Sequence, residues 1–276
     1  MAAAAILFVG DVCGGAGRRT LRALLPVLRE ELEATFVVVN GENAAGGIGI
    51  TPRTADEIFG AGADAITLGN HTYRHREMYA YLDEREAIVR PANYLAAQPG
   101  RGTTIVERDG VRLGVVNLSG NVFLQAGRPA FIAIEAALDD LGRRGVDHVL
   151  LDFHAETTSE KVAMGWHLDG RVTAVVGTHT HVPTADARVL PGGTAYISDV
   201  GMTGARDGVI GMRRQEVLDA FLTQMPVRYQ SAEEDPWLNA VLVRCSQPMR
   251  ADAIEQLLRP VSQAVRTVSP SGHRKR

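Results

Sequence analysis

Gly177-Thr178-His179-Thr180-His181 places two imidazoles two residues apart, directly after an apolar run at 172–176. Neutral imidazole is the commonest protein metal ligand. Four other apolar runs end in the same way: Asp11 follows 6–9, Glu42 and Asn43 follow 36–39, Asn70 and His71 follow 65–68, and His154 follows 148–153. Taken singly, Asp11 could cap a helix, Asn70 could hold a turn and His154 could be a hydrogen-bonded core histidine. Taken together, seven metal-competent side chains (Asp11, Glu42, Asn43, Asn70, His154, His179 and His181) at five strand ends point to one cleft, because open α/β sheets build their sites at the carboxyl ends of strands. The set is too large for one tetrahedral zinc and suits two adjacent ions sharing a bridging carboxylate. Ions roughly 3.5–4 Å apart activate water and stabilise the charge growing on an attacked phosphoryl group. Hydrolysis of a phosphoester is therefore the expected chemistry, with two divalent ions as cofactors. Iron(II) or manganese suits the mixed imidazole and oxygen donors, zinc is compatible with them, and magnesium is disfavoured by three histidines. His179 and His181 are expected to serve different ions, so that the pair spans the centre. His71, beside Asn70, is expected to face the cleft as the catalytic general acid, a task for a group titrating near neutrality; a substrate-contact role is the alternative.

Strands alternating with amphipathic helices must position these residues: strand 4–9, helix 17–33, strand 36–39, helix 52–61, strand 65–68 and helix 75–84. Thr51 reads as an N-cap, with Pro52 at the first helical position. Asp109-Gly110 marks a hairpin between 103–107 and 111–118. A helix at 131–144, a strand at 148–153, a polar segment and a strand at 172–176 follow, then antiparallel strands near 185–190 and 194–198. The remainder reads as a helix at 213–224, strands near 226–230 and 238–245, and a helix near 251–265. Pro and Gly are scattered in short turns, so a single domain over 1–268 is expected, with a disordered basic tail at 269–276.

The chain has 276 residues, 45% of them hydrophobic, ample for a large core. With 29 basic and 32 acidic residues its net charge is −3, which excludes a global attraction to nucleic acid or anionic membrane. No stretch is long and apolar enough to span a bilayer, and residues 1–6 lack the pattern of a signal peptide. Cys13 and Cys245 form no disulfide framework. A cytoplasmic protein with no membrane partner is expected.

Gly10-Asp11, Gly69-Asn70-His71, His154 and Gly177-Thr178-His179-Thr180-His181 resemble the calcineurin-like metallophosphoesterase signature. Asn40-Gly41-Glu42-Asn43-Ala44-Ala45, Arg90-Pro91-Ala92-Asn93, His154-Ala155-Glu156 and Asp199-Val200-Gly201-Met202-Thr203-Gly204 resemble its bacterial YmdB-like branch over nearly the whole chain. That resemblance implies an α/β fold, a four-layer α/β/β/α sandwich with a dinuclear site at the carboxyl ends of the strands. It also implies phosphodiesterase activity on 2',3'-cyclic nucleotides by in-line attack of a metal-bridging hydroxide. By position, Asp11, Asn43 and His181 would hold one ion, Asn70, His154 and His179 the other, Glu42 would bridge, and His71 would be the acid. The chain departs from the wider superfamily where Cys13 replaces a histidine and Glu42 replaces the bridging Asp, so the first site should be oxygen-rich.

Cys13 could itself ligate, but a small packed residue is the preferred reading. Gly46-Gly47-Ile48-Gly49 reads as a tight crossover rather than a substrate loop. The segment 154–161 could bind ribose or phosphate or cap a helix, and Arg206 with Asp207 could clamp a phosphate or form a surface ion pair. Substrate-binding residues are otherwise unassigned. A phosphomonoesterase or an RNA nuclease is the enzymatic alternative, which would make RNA a partner; a nucleotide-sensing regulator is the non-catalytic one, and homo-oligomerisation is left open. A dinucleotide-binding reading of Gly10 to Gly17 fails on glycine spacing and on the charge of Asp11.

Overall fold

In the structure, a computed structural model that describes residues 3–262, the first half alternates as expected. It runs β1 (Ala4–Val9), α1 (Gly14–Glu31), β2 (Phe36–Asn40), α2 (Pro52–Gly60), β3 (Ala65–Thr67), α3 (Met78–Glu84) and β4 (Ile88–Val89). The four strands are parallel neighbours in that order. Every residue of β1 and β2 is buried: Ile6 and Phe8 enter one apolar cluster while Leu7 and Val9 enter another, the two-residue alternation of a strand covered on both faces. The start of α2 is the expected one, with Thr51 Oγ1 accepting from Thr54 N at 3.2 Å and Pro52 in the first turn.

The hairpin forms as β5 (Thr103–Arg108) and β6 (Val111–Ser119), with Asp109 and Gly110 at φ 52° and 76° in the turn. Then come α4 (Ala130–Arg143), β7 (His148–His154), α5 (Thr158–His167), β8 (Ala174–Thr178), β9 (Arg188–Val189) and β10 (Ala195–Ile197). These strands make a second sheet ordered β5-β6-β7-β8-β10-β9, parallel from β6 through β10. The chain then returns to the first sheet through β11 (Gly204–Ala205), α6 (Arg214–Thr223), β12 (Pro236–Cys245) and β13 (Ala253–Pro260), β12 running antiparallel to both β1 and β13. The result is a mixed α/β fold with two sheets. Ile6, Phe8, Phe36 and Val38 of the first sheet share a cluster with Val115, Leu150 and Val176 of the second. On its other side the first sheet packs Leu7 and Val37 with Leu21 and Leu25 of α1, and the second packs Leu151 and Phe153 with Ile134 of α4 and Met164 of α5.

Three expectations are corrected. The helix near 251–265 is instead the strand β13, paired with β12 from Trp237↔Pro260 to Arg244↔Ala253; residues 253–259 are rich in helix formers, but a long antiparallel register outweighs a local preference. Residues 226–230 form no strand, and β12 starts at Pro236. The polar segment after His154 contains α5, whose buried residues are Lys161, Met164 and Gly165, a stripe too polar to read as a helix face. The segment expected as a disordered tail, 269–276, lies outside the described residues. Among the described residues no helix is long and apolar enough to cross a membrane.

Candidate metal centre

Parallel pairing fixes where the site must lie. Val9 is level with Val39, and Asn40 with Thr67, so the chain leaves β1, β2 and β3 at one edge of the first sheet. In the second sheet His154 is level with Thr178, which brings the end of β7 beside His179. Two sheet edges meet, and all seven expected ligands converge there.

Glu42 is the hub. Its Oε1 lies 3.1 Å from His154 Nε2 and 3.2 Å from both His71 Nδ1 and Asn43 Nδ2, while Oε2 accepts from His71 N at 3.1 Å. On one side His154 Nε2 is 2.9 Å from Asn70 Oδ1 and 3.0 Å from His179 Nδ1. On the other, His181 Nε2 is 3.1 Å from Asn43 Nδ2 and 3.8 Å from Asp11 Oδ1. Asp11 Oδ2 accepts from His179 N at 3.1 Å. Asn43 turns its amide nitrogen toward Glu42 and His181, so in this orientation it donates.

Hydrogen-bond bookkeeping shows what this cluster lacks. The Thr178 hydroxyl gives its proton to Asp152 Oδ1 at 2.7 Å and sits 2.9 Å from His154 Nδ1, so the ring must donate from Nδ1 and present a lone pair at Nε2. His179 Nε2 meets the Glu156 carboxylate at 2.9 Å, which leaves a lone pair at Nδ1. His181 Nδ1 donates to Ile210 O at 2.9 Å, which leaves one at Nε2. His154 Nε2 thus meets Glu42 Oε1, Asn70 Oδ1 and the Nδ1 lone pair of His179, while His181 Nε2 accepts from Asn43 Nδ2 and Asp11 Oδ1 is buried with no hydrogen-bond partner. Lone pairs that face one another in a buried cluster are what a bound cation would satisfy. Glu42, His154 and His179 offer ligand atoms that all lie within 4.8 Å of one another.

The electrostatics agree. Burial would depress the His154 imidazolium, but Glu42, Asp11 and Asp152 outweigh it and push its pKa up to about 9. Burial and the His154 charge bring His179 down to about 3. Glu42 is raised by burial, yet His154 and His71 hold it well below the usual carboxylate range. Burial, reinforced by Glu42 and Asp199, raises Asp11 against the pull of His181 and His154. The carboxylates that raise His154 would equally attract metal cations placed among them.

The His-x-His turn is held by partners to which the sequence reading gave no role in positioning it. His179 and His181 adopt φ of 99° and 67°, which costs on the order of 1–3 kcal/mol each for non-glycine residues. Between them, Thr180 donates through N and Oγ1 to Asp199 Oδ2, at 3.1 and 2.7 Å, and Asp199 pairs with the buried Lys161 at 2.8 Å. Asp152, pushed up to about 6 by burial, also accepts from Asn40 Nδ2 at 2.8 Å and from Thr67 Oγ1. Glu156 and Lys161 lie in the 154–161 segment and Asp199 opens the 199–204 segment, both marked in the sequence, whereas Asp152 carried no such signal.

The centre opens into a cleft of about 320 Å³ lined by His71, Glu156, Thr180 and Ile48, among others. His71 Nδ1 lies 2.9 Å from Asn43 Oδ1, and its ring lines that cleft. Gly46, Gly47 and Gly49 adopt φ of 65°, 91° and 82°, the tight crossover expected, although Gly47 also lines the cleft. Arg206 and Asp207 do not pair with each other: the Arg206 guanidinium lies 4.4 Å over the Trp237 ring, and Asp207 bonds Arg214 at 3.0 Å. Cys13 is buried, its thiol pushed up to about 12 by burial and by Asp11, and Sγ faces Gly211 O at 3.9 Å. A packing residue explains this placement, so Cys13→Ser is expected to leave metal content and turnover unchanged; loss of one metal equivalent, read by elemental analysis, would make Cys13 a ligand.

Comparison with known proteins bears on the whole chain. It is 44% identical over 254 residues to the 2',3'-cyclic-nucleotide 2'-phosphodiesterase of Bacillus subtilis (strain 168), covering 92% of this chain and 96% of that one. A crystal structure of a hypothetical protein from Thermus thermophilus superposes with TM-score 0.87 at 39% identity, covering 93% of this chain and 99% of that chain. A novel phosphatase from Mycoplasma pneumoniae gives 0.85 at 30% identity, covering 96% and 97%. The sequence profile of the YmdB-like proteins matches residues 7–257, and the chain belongs to that family.

Proposed function

We propose that the chain is a metal-dependent phosphodiesterase that hydrolyses 2',3'-cyclic nucleotides. The observation that carries this reading is the convergence of His154 Nε2, His179 Nδ1, Asn70 Oδ1 and Glu42 Oε1, with Asp11 Oδ1 buried and unpartnered in the same cluster, in a chain 44% identical to the Bacillus subtilis phosphodiesterase. Asn70, His154 and His179 would hold one divalent ion, Asp11, His181 and Asn43 with its amide reversed the other, and Glu42 would reach both. Iron(II) or manganese suits these donors, with zinc compatible. When bound, such a pair lowers the pKa of water and neutralises charge on phosphoryl oxygens. The three apolar clusters support a four-layer α/β/β/α arrangement of one domain, and two buried free cysteines fit the reducing cytoplasm.

The chain's own residues supply the rest. Glu42 Oε1 anchors His71 through Nδ1 at 3.2 Å, which leaves Nε2 to hand a proton to the departing ribose oxygen. His71→Ala is therefore expected to lower kcat for a cyclic nucleotide about 10²-fold, within the range for a lost general acid, and to spare a nitrophenyl ester whose leaving group needs no proton. Equal losses on both substrates would assign His71 to binding instead.

The reading is tested by elemental analysis of protein purified without added ions, followed by turnover of cyclic nucleotides, nitrophenyl esters and short RNAs with Mn²⁺. Two metal equivalents and preferential hydrolysis of 2',3'-cyclic nucleotides are expected. Preferred turnover of monoesters or RNA would redirect the assignment, and no metal-dependent hydrolysis of any phosphoester would overturn it.

A further inference from the structure

A second cleft, of about 620 Å³, opens on the Asn70 side of the centre. Its lining is aromatic and amide: Tyr73 and Tyr94, Phe123 and Gln125, with Gln98 among them. We propose that this cleft is the nucleobase site, in which the base of a cyclic nucleotide stacks on Phe123 and the tyrosine wall while its phosphate lies at the metal centre. The inference rests on the phosphodiesterase reading.

Four observations carry it. Phe123 is 87% exposed at φ 64°, a bulky apolar side chain in a left-handed conformation, where strain and solvent exposure both cost free energy without an evident return to the fold. The loop that presents it is pinned at its stems. Glu160 Oε1 accepts from Asn121 N at 2.8 Å, while Asn121 donates to Arg128 O at 3.1 Å and accepts from Ala130 N at 2.9 Å. In the same cleft, the Tyr73 and Tyr94 rings lie 6.0 Å apart at 33°. They are fixed by hydroxyl bonds to Pro99 O at 2.7 Å and Gly69 O at 3.3 Å, the second tying the wall to the residue beside Asn70. Lastly, Gln98 Oε1 accepts from Leu95 N at 2.9 Å, so the group it can offer the edge of a base is its amide N–H₂, and Gln125 lines the same space.

The cleft on the His181 side does not compete for a base. It holds about 390 Å³, but the face of its Trp237 ring is covered by Arg206 at 4.4 Å and Asn239 Nδ2 is committed to Met202 O at 2.6 Å. Stacking is sequence-tolerant because every base has a π-face, so the site should accept purines and pyrimidines alike.

The test compares 2',3'-cyclic AMP with the 2',3'-cyclic phosphate of 1-O-methylribose, which keeps the reacting ring and lacks the base, using the full chain loaded with Mn²⁺. Wild type is expected to show a KM about tenfold lower for the nucleotide, the order of one stacked base, and Phe123→Ala to reduce that discrimination toward unity. Gln125→Ala should alter the ranking among the four bases. Equal KM values for the two substrates in wild type, or discrimination undiminished in Phe123→Ala, would overturn the base site while leaving the phosphodiesterase reading intact. Turnover of neither substrate would overturn both.

Discussion

Gly69→Ala is expected to empty the metal centre and to cut phosphodiesterase turnover at least ~10³-fold, more than the roughly 10–100-fold typical of a lost outer-shell partner. A Cβ at this position would fall on Glu42 Oε2 and on the His154 imidazole at Nε2 and Cδ2. Both neighbours are fully buried and already committed, so neither can swing away without surrendering the geometry that aims its lone pairs inward. The backbone itself does not demand glycine here, since Gly69 is not among the residues with positive φ. Alanine would thus fit the backbone conformation and be rejected by the site. Measured together, metal content and thermal unfolding separate these contributions: loss of metal in a variant that still unfolds in one cooperative transition, below that of metal-free wild type, is expected. A variant that binds two ions and turns over normally would mean that Glu42 and His154 are not neighbours in the working enzyme.

Much of this centre was legible in the sequence because its determinants are local. An apolar run buried on both faces, such as 6–9 or 36–39, ends where a polar residue can be buried only if something binds it, and five such ends together, with the family resemblance, marked Asp11, Glu42 and Asn43 as candidate ligands. What supports these residues was not legible, because it depends on pairings between distant segments. Asp152 sits inside the apolar run of β7 and reads as a blemish in a strand, yet it orients His154 through Thr178, two strands meeting at His154↔Thr178. Lys161 belongs to a segment that reads as a ribose or phosphate contact or a helix cap until Asp199, 38 residues away, is brought to its Nζ. Its burial also removes the apolar stripe by which α5 could have been recognised. In β13 the error has the opposite origin: the local signal was strong and helical, and the partner strand decided against it.

His179→Ala and His181→Ala should each reduce bound metal from two equivalents to one, but retain different ions. His179 Nδ1 closes the set around His154 and Asn70, whereas His181 Nε2 closes the set around Asp11 and Asn43. Losing His179 leaves an oxygen-dominated site with a single imidazole; losing His181 leaves two imidazoles with Asn70 and Glu42. Softer nitrogen donors favour zinc over manganese more strongly than carboxylate and amide oxygens do. Dialysis against equal concentrations of Zn²⁺ and Mn²⁺ should therefore give a higher zinc-to-manganese ratio in His181→Ala than in His179→Ala. With manganese alone, paramagnetic resonance should change from the exchange-coupled signal of an ion pair to that of an isolated ion in both variants. Turnover should fall in both to a similar extent, because an ion pair that activates water and neutralises phosphoryl charge works as a unit. If either substitution removed both ions together, or if the two variants kept the same ion, the histidines would be ligands of one shared site, and the strained turn at Thr180 would have to be explained without a metal on each side of it.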